Sequence, residues 1–367
     1  MTIIVPLFQT MNSTPEQVGD FLRAQRMADQ EEYGFLKITN GFISPGFACI
    51  ILPVNILLIV TFIRGRLHKP VHLTLAAIAI VETLSSIFNL IPSIYFYTLG
   101  YGEEYTPYAW CFSRDVLFRI LPFLCRTWSL NLMVLLALQR VLVVKRPYHV
   151  NVYFTARKTI MFIVIAGVVA FLSNIPLILM LQTYSEIPVQ SVFQPNKTII
   201  GCTPKKVNII SIRVSDLLYN IFSRIIPVCL LIIFDACLLR TIKYTLRPKL
   251  FKLGMQTIQL NRRNSESNRL TLVIFTIICS ILVVDIPAMS VHFYLVYAQG
   301  IPCRKCSLEK LFGVLYILDL LVYSSSFLIY CCLSKDFRRR ISPCYNHFSG
   351  FPKNSFKLSL KPLSNPE

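Results

Sequence analysis

Long apolar stretches broken by short polar ones dominate the chain. Seven runs stand out: Phe42–Ile63, Val71–Thr98, Trp110–Val144, Thr159–Gln182, Leu217–Leu239, Leu270–Tyr297 and Leu311–Leu333. About 20 mostly apolar residues in a helix cross a hydrocarbon core of roughly 30 Å, so each run predicts one membrane-spanning helix. The first and fourth runs hold no charged residue, whereas the third carries Arg114, Asp115, Arg119 and Arg126. No repeat, heptad array or low-complexity tract interrupts the pattern. The expected organisation is a leader at 1–41, a helical domain at 42–343 and a disordered tail at 344–367.

Composition agrees with the pattern. The 367 residues are 54% hydrophobic and 15% charged, and mean hydropathy is +0.58, whereas a soluble chain carries roughly 25% charged residues. The formal charge of +19 does not point to nucleic acid, because the basic residues lie in clusters between apolar runs. Arg64, Arg66 and Lys69 form one cluster, and Lys145, Arg146, Arg157 and Lys158 a second. A third extends from Arg240 to Arg269, and a basic tail follows Lys335. Short loops rich in Lys and Arg stay in the cytoplasm, which puts the N-terminus outside and the C-terminus inside. Two sequons, at Asn12 and Asn196, fall on the outer side and are candidate glycosylation sites. Most of the 12 cysteines sit in apolar runs as small hydrophobes, and no spacing of them completes a zinc site. No cleavable signal peptide is apparent: Ile3–Phe8 is short and has no basic residue before it. The fold class expected is an all-α, multi-pass membrane protein with seven helices.

Individual residues narrow the class. The third run ends in Leu136-Ala137-Leu138-Gln139-Arg140-Val141, with Pro147 seven residues after Arg140. Asn55 lies in the first run, Pro227 in the fifth and Pro287 in the sixth. The seventh ends in Ser326-Phe327-Leu328-Ile329-Tyr330, with Phe337 in a short basic segment, Lys335–Arg340. In order and spacing these landmarks resemble the rhodopsin-like G-protein-coupled receptors. Arg126, Phe222-Ser223-Arg224-Ile225-Ile226-Pro227 and Asp285-Ile286-Pro287 look most like the nematode serpentine chemoreceptors related to FMRFamide-type peptide receptors. The resemblance implies a plasma-membrane receptor with a short amphipathic eighth helix. It would carry a signal from an extracellular neuropeptide or small chemosensory ligand to a heterotrimeric G protein. No enzymatic group, metal or cofactor is expected. Three departures stand against the family pattern: Gln139 replaces the acidic residue before the Arg, Ser326-Phe327 replaces Asn-Pro, and Asp285 stands where a Trp is usual.

The same resemblance assigns roles. Arg140, Gln139, Asp235 and Tyr330 fall at the G-protein coupling switch. Asp235 stands where a Tyr would meet the Arg in the active state, so an Arg140–Asp235 pair is one reading and a solvated Asp the other. Asn55, Glu82, Ser129 and Ser326 fall at a polar network that holds sodium in the family; the alternative is a protonated, hydrogen-bonded Glu82. Arg119, Arg126, Arg224, Asp285 and Asp319 line the ligand pocket, with Arg126 and Asp285 facing each other at its floor. Charges in a bilayer are costly enough to need partners, so an ion pair is expected there, either as a ligand-sensitive latch or as a purely structural lock. A disulfide between Cys111 and Cys202 is implied, although Cys111 lies one helical turn further from Arg140 than in the family. Cys344 falls at a palmitoylation position. Pro122 occupies the place of the amine receptors' Asp, and Leu318-Asp319-Leu320 lacks the opsins' Lys; the basic outer half favours a ligand with an acidic group. Tyr95, Phe96, Phe293, Tyr294 and Tyr297 read either as cavity lining or as an interfacial belt. The rival class is a transporter or an intramembrane aspartyl hydrolase using Asp235 and Asp285.

Overall fold

A computed structural model describes residues 37–64, 70–101, 108–145, 154–179, 184–190, 194, 196–204, 209–246 and 258–297. It also describes 311, 314, 315, 317, 318 and 322. Among the described residues, six helices are long and apolar enough to cross a membrane. Helix α1 is Ser44–Arg64, entered through the π-helical turn Thr39–Ile43. Helix α2 is Pro70–Pro92, continued by the π turn Ser93–Thr98. Helix α3 begins as Tyr108–Asp115, passes through the π turn Val116–Ile120 and continues as Leu121–Lys145. Helix α4 is Ala156–Leu179. Helix α5 runs Ile209–Asn220, a π turn Ile221–Ile225, then Ile226–Leu246. Helix α6 is Ile258–Tyr297. The described residues of the seventh run, from Leu311 to Val322, are helical.

Each π turn adjoins a proline, although Pro53, Pro176 and Pro287 sit within their helices without one. Pro45, Pro122 and Pro227 each come two residues after such a turn, and the fourth turn follows Pro92 directly. Proline supplies no N–H to the carbonyl four residues back and clashes with it, so the helix locally widens to an i→i+5 turn. Many serine and threonine hydroxyls are satisfied within their own helices, as where Thr61 donates to the Leu57 carbonyl (2.7 Å) and Thr127 to that of Phe123 (2.9 Å). With no bulk water to take such a donor in the hydrocarbon core, this back-bonding keeps the hydroxyls compatible with the membrane.

Helix α3 is the axis of the bundle, packing against α2, α4, α5 and α6. Leu130, Leu132 and Leu136 of α3 are fully buried with Leu231 and Leu238 of α5, Ile274, Ile278 and Ile281 of α6 and Val81 of α2. Helix α4 turns Ala166 and Ala170 inward and Ile160, Val164, Val168 and Leu172 outward. Lipid tails are as apolar as Leu, so close approach at small residues, rather than hydrophobicity, selects the inner face.

Two features differ from the sequence expectation. The loop after α4 forms an antiparallel hairpin, β1 (Tyr184–Gln190) with β2 (Thr198–Pro204), in which Glu186 pairs with Cys202. The segment Arg240–Arg269, expected as a loop, is helical at both ends: α5 runs on to Leu246 and α6 starts at Ile258. Neither Pro nor Gly interrupts 258–286, so the polar stretch Asn261–Arg269 continues the membrane helix.

Candidate functional site

The outer end of the bundle is closed over α3. Cys111, fully buried, is disulfide-bonded, and the Tyr108–Asp115 segment that carries it packs against both hairpin strands. Cys202 lies on β2, opposite Glu186; its side chain lies outside the described residues. Asn196 is exposed in the connection between the strands. Beside this cap, Tyr95 stacks on Tyr101 and Trp110 at centroid distances of 4.8 and 5.2 Å. Phe96 is buried, and Phe293 and Tyr294 are exposed.

Below the cap, α3, α5 and α6 converge. Arg126 Nη2 of α3 donates to Asp285 Oδ1 of α6 in a salt bridge, with Asp285 almost fully buried. The expected facing pair is therefore formed. The other carboxylate oxygen, Oδ2, is also buried and has no hydrogen-bond partner. One turn further out on the same face of α3 is Phe123, since residues three apart on a helix are neighbours. The buried guanidinium of Arg224 lies over the Phe123 ring, 5.8 Å from its centroid, and the Tyr219 ring is 5.7 Å from that of Phe123. Ser223, beside Arg224, donates to the Ser173 carbonyl of α4 (3.1 Å), fixing the π turn of α5 against the bundle. Arg119 belongs to the π turn of α3; its side chain and that of Asp319 lie outside the described residues.

Midway through the bundle, Ser129 of α3 donates to Glu82 Oε1 of α2 (3.3 Å). Glu82 and Asn55 line a cavity of about 30 Å³ together with Met133, Leu136, Ile274 and Ile277. The buried Asn55 Nδ2 has no hydrogen-bond partner. A water needs roughly 10–15 Å³ of such space and several polar partners; the cavity has the room, but its lining is mostly apolar. Ser326, the fourth expected member, lies outside the described residues.

At the inner end, Gln139 takes a different partner from the acidic residue usual there. Its Nε2 donates to Thr74 Oγ1 of α2 (3.0 Å), and the Thr74 hydroxyl is 3.2 Å from the Pro70 carbonyl as its acceptor. Arg140, next in sequence, is buried. Asp235 of α5 is buried too, and neither of its carboxylate oxygens has a hydrogen-bond partner. The expected Arg140–Asp235 pair is thus not made in this arrangement of the helices. Nor do Asp235 and Asp285 share a hydrogen bond, which a carboxylate dyad would require. Tyr330, Cys344, Asn12 and the Lys335–Arg340 segment lie outside the described residues.

The Gln139–Thr74 clamp was not foreseen, because a neutral amide gives no charge signal and Thr74 is one hydroxyl among many. The cation–π contact of Arg224 had only the choice of an aromatic on the facing helix to announce it.

Comparison with known proteins agrees with this geometry. Residues 54–330 match the 7 transmembrane receptor (rhodopsin family). Over 317 residues the chain is 22% identical to the Sex peptide receptor-related protein 2 of Caenorhabditis elegans, an alignment covering 82% of this chain and 70% of that protein. The matched span takes in the polar network, the α3–α6 ion pair and the Arg140 region, and ends at Tyr330. The chain belongs to the rhodopsin family of seven-transmembrane receptors and is a multi-pass G-protein-coupled receptor of the plasma membrane.

Proposed function

We propose that the ligand is a peptide or small molecule arriving from outside, and that it acts by loosening the Arg126–Asp285 bridge so that α6 moves away from α3. The bridge is the observation that carries this reading: it ties α6 to the bundle axis directly beneath the Phe123–Arg224–Tyr219 cluster. A ligand shifts a two-state bundle only through differential affinity for the two states, and a charged group docking beside this bridge has that leverage. The C. elegans relative's name, sex peptide receptor-related, supports a peptide over a volatile odorant.

The inner end then receives a heterotrimeric G protein between α3, α5 and α6. Asp235, buried without a partner, gains most from a rearrangement that brings Arg140 to it, since an unpaired buried charge is costly. Tyr330 completes this switch. Asn55, Glu82, Ser129 and Ser326 hold a water or a sodium ion, which would supply a positive charge to Glu82. Cys111 pairs with Cys202 to fasten the hairpin. Asn12 and Asn196 carry glycans on an extracellular leader and loop. Cys344, in a cytoplasmic tail, takes an acyl chain.

Nucleotide exchange on a purified heterotrimeric G protein, driven by candidate peptides in the presence of the reconstituted receptor, tests the reading. Exchange that rises with a peptide and falls in Asp235→Asn supports it. Substrate flux in proteoliposomes without any exchange sinks it.

A further inference from the structure

Among the described residues, the outer half of the interior holds two buried or half-buried guanidinium groups, Arg126 and Arg224, and one buried carboxylate, Asp285. Arg126 and Asp285 neutralise each other. Arg224 is 7% exposed, has a phenyl ring for company, makes no ion pair with a described residue, and keeps its Nε buried without a hydrogen-bond partner. A cation–π contact returns less than the cost of removing a guanidinium from water without a counter-charge. Among the described residues, this part of the interior is therefore short of one negative charge.

We propose that Arg224 anchors a carboxylate of the extracellular ligand, with the adjoining apolar or aromatic part of that ligand packed against Phe123 and Tyr219. This rests on the receptor reading above and names the ligand's chemical class. The planar fork of a guanidinium donates two parallel hydrogen bonds to a carboxylate. A single uncompensated positive charge suits a monoanion better than a phosphate dianion. The position fits delivery from outside: Tyr219 lies more than one turn outward of Arg224 on α5, and Phe123 one turn outward of Arg126 on α3. An incoming group would meet the two rings first, then Arg224, then the Arg126–Asp285 bridge. The π turn Ile221–Ile225, pinned by the Ser223 bond to α4, holds Arg224 toward α3.

The experiment uses the full-length receptor in nanodiscs at fixed ionic strength, with 3-phenylpropionate and 4-phenylbutyrate as probes, each beside its primary amide. Thermal unfolding is the readout, because any species that binds only the folded state raises Tm. At several times its Kd, each acid is expected to raise Tm by about 2–4 °C, and each amide to leave it unchanged. Arg224→Gln should abolish the response, while Arg224→Lys, a point charge without the fork, should keep part of it. Equal shifts from acid and amide, or no shift from either in the unmodified receptor, overturn the anchor. So does an acid response that survives in Arg224→Gln. If Arg224→Gln does not fold, the acid–amide comparison in the unmodified receptor and in Arg224→Lys decides alone. A merely structural Arg224 predicts lower Tm in the variants with no discrimination between acid and amide. G-protein exchange is measured separately, so loss of the anchor leaves the receptor reading standing.

Discussion

Asp285 is nearly sealed from solvent, and Arg126 beside it gives the bridge a geometry in which each charge depends on the other. Removing one partner from a buried pair costs about 3–5 kcal/mol, because the remaining charge stays in a medium that cannot solvate it. Arg126→Gln and Asp285→Asn should each lower Tm of the reconstituted receptor substantially, and the exchanged pair Arg126→Asp with Asp285→Arg should recover part of the loss. A double-mutant cycle with no coupling energy would show that the two do not pair. The inner clamp obeys a different rule. Thr74→Val leaves the buried Gln139 amide unsatisfied and should cost about 1–3 kcal/mol, whereas Thr74→Val combined with Gln139→Leu should cost less than the single change. Denaturation of the two variants side by side checks the sign. These residues also mark how far the sequence could be read. Charged groups in apolar runs announce a need for partners, so Arg126 with Asp285 and Glu82 with Ser129 were legible once the helices were aligned. Gln139 carries no charge, and only packing decides which hydroxyl it meets.

At the scale of elements, about 20 apolar residues in a row leave one stable structure in a bilayer, which is why α1 to α4 fall within a few residues of the runs, while α5 and α6 run on into the flanking polar sequence. The hairpin was hidden because Pro188 interrupts β1 and each strand is only seven residues long, too weak a period to separate from loop. The π turns were hidden because proline predicts a break in hydrogen bonding without saying whether the helix kinks or widens. Contact between α3 and α4 depends on a residue whose importance composition does not reveal. Trp128 of α3 donates its indole N–H to the Ile163 carbonyl of α4 (3.3 Å). Its ring fills the space beside Gly167, where an added Cβ would lie 3.0 Å from Trp128 Cε2 and 3.1 Å from Cζ2. Gly167→Ala requires the indole to give by a few tenths of an ångström, a strain that opposes the ~1 kcal/mol helix-propensity gain of Ala over Gly. Pairing it with Trp128→Leu should remove the penalty of the added methyl. A Gly167→Ala change in Tm that is the same in the Trp128→Leu background as in the unmodified receptor would refute the close contact.

For the whole molecule, the asymmetry of packing matters more than any single bond. Helix α3 is held by α2, α4 and α5 over much of its length, whereas α6 meets the rest of the described bundle sparsely, through α5 and α3. A long helix can turn as a lever, and the Arg126–Asp285 bridge is a polar tie between it and the axis. The bridge therefore sets the balance between the closed arrangement and one with α6 displaced, in addition to its share of stability. Every ~1.4 kcal/mol removed from the closed state multiplies the open-to-closed ratio by about ten; a receptor open about 1% of the time would then be open about 9%. Asp285→Asn keeps the shape of the side chain and a hydrogen bond to Arg126 while removing the ionic part. It should consequently raise ligand-independent nucleotide exchange on the G protein by about tenfold, in receptor shown to be folded by its retained helical circular dichroism. Basal exchange that stays at the unmodified level in folded Asp285→Asn receptor would mean that α6 is restrained elsewhere, and that the bridge stabilises the bundle without governing its opening.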